Sequence, residues 1–143
     1  MSQTEDYLKQ KIKDFKQNYN AEVKLNSYSN KELRLRWKDD KQSALKEWHY
    51  INNIADVERY VTCFVEKVKH YNNMDNLLWE DSYDMDLFLY KAMLAMNRME
   101  QCFENNKYGF STCDEEKIDS MFEKLNNGLE MMNDVILRIM MQE

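Results

Sequence analysis

Apolar residues recur along the chain with helical spacing over most of its length and with a two-residue period over one stretch. Leu8, Ile12, Phe15 and Tyr19 step by four, three and four, which sets them on one stripe of an amphipathic helix over residues 4–19. Thr4 can cap its start, and Glu5 and Asp6 suit the positive end of the helix dipole.

Residues 21–51 admit two readings. As strands they give Glu22-Val23-Lys24-Leu25, then Leu33-Arg34-Leu35-Arg36-Trp37-Lys38, then Ala44 to Ile51. The middle run alternates strictly, with Leu33, Leu35 and Trp37 on one side and Arg34, Arg36 and Lys38 on the other. Residues 27–30 and 38–43 would be the two connections. As a helix, Ser29-x-x-Glu32 is a capping box, and Leu33, Trp37, Ala44, Trp48 and Ile51 make a stripe. That stripe is broken at Asp40 and Lys41 and leaves Leu35, Leu45 and Tyr50 off the face. The alternation favours a three-stranded antiparallel meander, although few residues here are β-branched.

Helical spacing resumes at Ile54 with Val57, Val61, Phe64, Val68 and Tyr71, opened by Asn53-x-x-Asp56. A polar joint at 72–75 leads to a helix from about Ser82 to Lys107, carrying Met85, Leu89, Ala92, Met96, Met99 and Phe103 in register, with Gly109 placed to end it. Thr112-x-x-Glu115 opens the last helix, whose seam is Ile118, Phe122, Leu125, Leu129, Met132, Ile136 and Ile139. Two long helices with a short joint are expected to fold back as an antiparallel hairpin. The seam's heptad spacing equally allows a homodimer through this helix, while Gly128 weakens it by roughly 1 kcal/mol. The methionines of these two helices suit core filling.

The expected fold class is therefore α+β and helix-dominated: an N-terminal helix, a three-stranded antiparallel sheet, then three helices ending in the hairpin. An all-α bundle is the alternative. A length of 143 residues fits a single domain, with residues 1–72 as an α-β-β-β-α part and 73–143 as an acidic helical part. With no proline and two glycines, most of the chain must lie in regular elements. The Lys, Asn, Tyr, Ile and Met enrichment is what AT-rich coding gives, a bias frequent in phage genes.

Candidate chemistry is sparse. Cys63, Cys102 and Cys113 have no paired spacing and read as reduced thiols filling the interior. His49 and His70 stand in no Cys/His cluster, so no metal site is expected, and no nucleophile lies beside either in sequence. No catalytic residue and no cofactor are expected. The best enzymatic alternative is an all-α, Mg²⁺-dependent nucleotide pyrophosphohydrolase, for which Asp81-x-x-Asp84 and Glu116-x-x-Asp119 loosely imitate the carboxylate pairs. No apolar run is long enough to span a membrane, and the polar, acidic start is unlike a secretory signal, so a cytoplasmic location is expected.

Charge is unevenly shared. Residues 1–72 hold 14 Lys/Arg against 11 Asp/Glu, a net of +3, while residues 73–143 hold 6 against 15, a net of −9. The basic half, with Asp39 and Asp40 interleaved, is too weak a footprint for direct nucleic-acid binding. In the acidic half, Asp75, Glu80, Asp81, Asp84 and Asp86 form a run free of basic residues beside Trp79 and Tyr83. Asp114, Glu115, Glu116 and Asp119 form a second cluster. The first group is the candidate partner-binding site, where carboxylates would steer a basic protein and the two aromatics would anchor it.

Glu22-Val23-Lys24-Leu25, Leu33 to Asp40 and Ile54 to Val61 give residues 6–68 a layout that resembles small phage anti-CRISPR proteins. The resemblance implies a helix–three strands–helix order and an acidic surface that imitates DNA. Such a surface would block a basic nucleic-acid channel in a host machine such as a CRISPR effector. The long helices after residue 73 depart from those small inhibitors. The competing expectation is an assembly protein that oligomerises through its C-terminal helices.

Overall fold

A computed structural model describes residues 3–23, 31–104 and 114–142, and among them every element is helical. The order is α1 (Gln3–Val23), α2 (Lys31–Glu47), a 3-10 turn (Trp48–Tyr50), α3 (Ile54–Asn72), α4 (Trp79–Glu104) and α5 (Glu115–Met141). The three-stranded sheet is therefore absent from the described residues, and the α+β expectation gives way to the all-helical alternative. The Ser27–Asn30 connection, Ser29 of the capping box, Gly109, Thr112 and Cys113 lie outside the described residues, as do the side chains of Tyr19, Leu33 and Phe103.

The reason for the correction lies in α2 itself. Its sequence, KELRLRWKDDKQSALKE, has no β-branched residue and is rich in Lys, Glu, Leu, Arg, Gln and Ala, the strong helix formers. Arg36 and Asp40 pair at 3.7 Å one turn apart, a contact that only a helix provides. The alternation at Leu33-Arg34-Leu35-Arg36 is not a sheet face. Leu35 and Leu45 are about half exposed, while Ala44 and Ile51 of the helical stripe are buried.

The helices start where local chemistry lets them. Asn53 accepts a hydrogen bond from the Asp56 N–H at 2.9 Å, and Asp56 accepts one from the Asn52 N–H at 3.0 Å, so one orphan donor of α3 and the N–H just ahead of its cap are both satisfied. Asp114 caps α5 by accepting from the Lys117 N–H at 2.9 Å. At α4 the Asp81 carboxylate reaches back to the Leu78 N–H at 2.8 Å, which starts this helix three residues before Ser82.

The centre of the bundle is α3, which buries Val57, Val61, Phe64 and Val68 against both α4 and α5. Lys67 and Tyr71 near its end meet Asp84 near the start of α4, so these two helices are antiparallel. Glu58 meets Lys117 at one end and Asn72 meets Arg138 at the other, so α3 and α5 run parallel. The two C-terminal helices are antiparallel to each other, yet each packs more closely on α3 than on its expected hairpin partner. The seam from Ile118 to Ile139 is buried in this single chain, so it offers no coiled-coil face. Met85, Met96, Met99 and Met132 fill the same core, as read from their register, whereas Met140 and Met141 are exposed. Gly128 lets α5 approach: a Cβ there would lie 2.8 Å from Cε2 of Phe64 and 3.4 Å from Cγ2 of Val65. α1 rests on α5 and α4, with Phe15 edge-on to Phe122 at 6.1 Å. α2 lies along α4 and runs the same way, since Trp37 meets Tyr83, Lys41 lies over Tyr90, and Trp48 just beyond α2 lies under Arg98.

Tyrosine hydroxyls tie these helices together. Burial raises the pKa of Tyr60, Tyr71, Tyr83 and Tyr90 above the ordinary value near 10, and hydrogen bonds to Glu47, Asp84 and Asp40 raise the first three further. The unfolded chain thus loses its tyrosine protons before the folded one does. The associated stability is fully present below about pH 10 and declines as the pH climbs beyond it. Urea midpoints measured from neutral to about pH 11 are expected to stay level and then fall steeply near the top of that range.

Candidate functional site

The seven residues singled out by sequence do not share a face. Asp75 is exposed in the α3–α4 connection, where its carbonyl accepts from Gln142 Nε2 at 3.5 Å. Glu80 is exposed, and Trp79 is half-buried against the core. Asp81 is the reciprocal cap of α4. Asp84 is engaged by the chain itself, accepting the Tyr71 hydroxyl at 2.6 Å and pairing with Lys67 Nζ at 3.3 Å. Asp86 is 5% exposed and Tyr83 1% exposed. The Tyr83 hydroxyl donates to Asp40, and its ring lies under the Arg36 guanidinium at 4.9 Å.

The physical reason is the pitch of a helix. Residues 80, 81, 84 and 86 sit 100° apart per residue, so acids that are neighbours in sequence scatter around the axis. Of the proposed docking group, only Asp75 and Glu80 stand fully outward. The second cluster divides too: Asp114 caps α5, while Asp119 accepts from the Tyr7 hydroxyl and pairs with Lys11 at 3.5 Å.

A different acidic surface emerges on α5. Glu116, Glu123, Asn127, Glu130 and Asp134 step by seven, four, three and four, and all are exposed. They occupy the side opposite the buried seam, over about 27 Å of helix from Glu116 to Asp134. No cation is paired with these four carboxylates among the described residues. The same stripe ends on Leu137 and Met141, which are 50% and 85% exposed, with Met140 beside them at 44%. The signal was present in the sequence. Once the seam is assigned, the same spacing applied half a turn away finds this line, whereas a search for contiguous acids does not.

Other candidate chemistry is separated by the fold. Asp84 sits near Tyr71 at one end of α3, and Lys117 beside Glu116 sits near Glu58 at the other. Those positions are about 20 Å apart along the helix, so the two carboxylate pairs of the pyrophosphohydrolase reading cannot share a metal cluster. Among the described residues no group of three or more His, Cys, Asp or Glu is arranged to hold a metal ion.

Cys63, Glu66, Lys67, His70 and Phe88 line an open cleft of about 310 Å³ between α3 and α4. Cys63 is exposed, contrary to its expected place in the interior, while Cys102 is buried. Cys63 and His70 are two turns apart, about 10.5 Å along the axis, too far for a nucleophile and its base. Among the described residues no helix is long and apolar enough to cross a membrane.

The helix–three strands–helix layout that carried the resemblance to anti-CRISPR proteins has no counterpart in α2. Comparison with protein-family models, with curated proteins and with solved structures returns no match.

Proposed function

We propose that the chain is a non-enzymatic binding protein that docks on a basic protein partner through the outward face of α5. The observation that carries this reading is the line of Glu116, Glu123, Glu130 and Asp134. They are exposed on one face without a cation paired among the described residues, and they lead into exposed Leu137 and Met141. Carboxylates of this kind steer encounter and fix register, while apolar side chains at one end supply desolvation energy. The narrower reading is an inhibitor that occupies a phosphate-binding channel of a nucleic-acid machine such as a CRISPR effector. It now rests on the α5 carboxylates in place of residues 75–86.

Affinity capture with the intact chain tests both levels. The captured protein is expected to be basic, to be retained at low salt and to be released as ionic strength rises, because exposed charges are screened within about 10 Å at 0.1 M. Under the narrower reading a DNA duplex competes for the same partner. Capture that is indifferent to salt would remove the electrostatic reading altogether.

A second reading, self-association through the C-terminal end, has the exposure of Leu137, Met140 and Met141 in its favour. Sedimentation velocity at rising concentration distinguishes it, since a sedimentation coefficient that does not change excludes it.

A further inference from the structure

Helix α2 is attached to the molecule differently from its neighbours. The contiguous apolar core draws side chains from α1, α3, α4 and α5, and none of the described side chains of α2 belongs to it. Ala44 is the one described α2 side chain that is buried. What holds α2 to α4 is aromatic and polar. The Trp37 ring meets Tyr83 edge-on at 5.5 Å and Tyr90 at 5.9 Å. The Arg36 guanidinium covers the Tyr83 ring at 4.9 Å, Lys41 Nζ lies 5.2 Å over Tyr90, and the Tyr83 hydroxyl donates to Asp40.

Contacts of this type are directional and individually modest, and water competes well for their charged members. Cooperative local openings are drawn from regions with few buried apolar contacts, which describes α2 and does not describe α3. We propose that α2 is a strap that opens from α4 as a unit while α1, α3, α4 and α5 stay folded. Opening it bares Tyr83 and Tyr90 on α4. This holds whether or not α5 is the docking surface.

Hydrogen exchange of the full chain, followed by mass spectrometry, decides the matter. The α2 amides are expected to be protected, yet to exchange at least about tenfold faster than those of α3. Trp37→Ala is expected to speed α2 exchange by about a further tenfold while leaving α3 and α5 within about twofold of the parent. Tyr83→Phe, which keeps the ring and removes the hydroxyl, is expected to accelerate α2 in the same selective way. Equal exchange of α2 and α3, slowed and speeded together by the variants, would overturn the proposal because opening would then be global. Complete lack of protection in α2 overturns it equally, since a strap must also close.

Discussion

Gly128→Leu is expected to lower the stability of the folded chain by about 3 kcal/mol or more, a fall in Tm of about 10 °C. The site is the closest approach of α5 to α3, where even a Cβ would meet the Phe64 ring at 2.8 Å. Phe64 is 0% exposed and packed on every side, so its ring cannot swing into solvent to make room. Gly128→Ala is a finer probe because two effects oppose each other there. Alanine gains roughly 1 kcal/mol of helix propensity, and overpacking at a fixed ring costs about 1–3 kcal/mol, so a net loss of about 1 kcal/mol is expected. Combining Gly128→Ala with Phe64→Leu shortens the obstructing side chain. The double variant is expected to be more stable than the sum of the two single effects, a coupling that denaturant titration reads directly. Additive losses would mean that the glycine is not there for the approach.

Reversing three charges on α5, Glu123→Lys with Glu130→Lys and Asp134→Lys, is expected to weaken partner binding by about 100-fold or more. Opposed like charges at an interface cost several kcal/mol, and each 1.4 kcal/mol is a factor of about ten in affinity. The same variant is expected to keep its Tm within a few degrees. All three positions are exposed, and added lysines towards the end of a helix complement its dipole. Reversing Asp81, Asp84 and Asp86 is expected to do the opposite. Asp81 caps α4, Asp84 holds Tyr71 and Lys67, and Asp86 is buried, so that variant is destabilised before any partner is consulted. Calorimetric binding and thermal unfolding of both triple variants separate the two surfaces. Equal affinity of the α5 variant and the parent would reject the α5 face.

The contrast between these surfaces marks what the chain reveals before it is folded. The helical seams of α3, α4 and α5 were legible because apolar side chains must gather on one side, and Val61, Phe64, Leu89, Leu125 and Leu129 all lie in the core. The Asn53 cap was legible for the same kind of reason, since its oxygen serves a donor three residues on. Segment 31–47 forms a helix against its alternation because the helix-forming composition around three alternating apolar positions outweighs their two-residue period. Periodicity of so few residues discriminates poorly when the element is exposed on most of its surface. The scatter of residues 75–86 over several faces has a related cause. Adjacency in sequence is not adjacency in space on a helix: Tyr83 turns inward towards Asp40 of α2, a partner that no local pattern announces, and Asp86 is buried. The Tyr83–Asp40 and Tyr7–Asp119 contacts join residues 43 and 112 positions apart.

The last of those contacts bears on how the chain is made. α1 emerges from the ribosome about a hundred residues before α5, the helix against which Phe15 settles, has been synthesised. During that interval α3 and α4 can already pair, being neighbours along the chain, but Leu8, Ile12 and Phe15 lack much of the surface that later covers them. Until α5 has been synthesised, the apolar stripe of α1 therefore lacks one of the two helices that cover it in the folded bundle, and that stripe is the most exposed apolar surface of the half-made core.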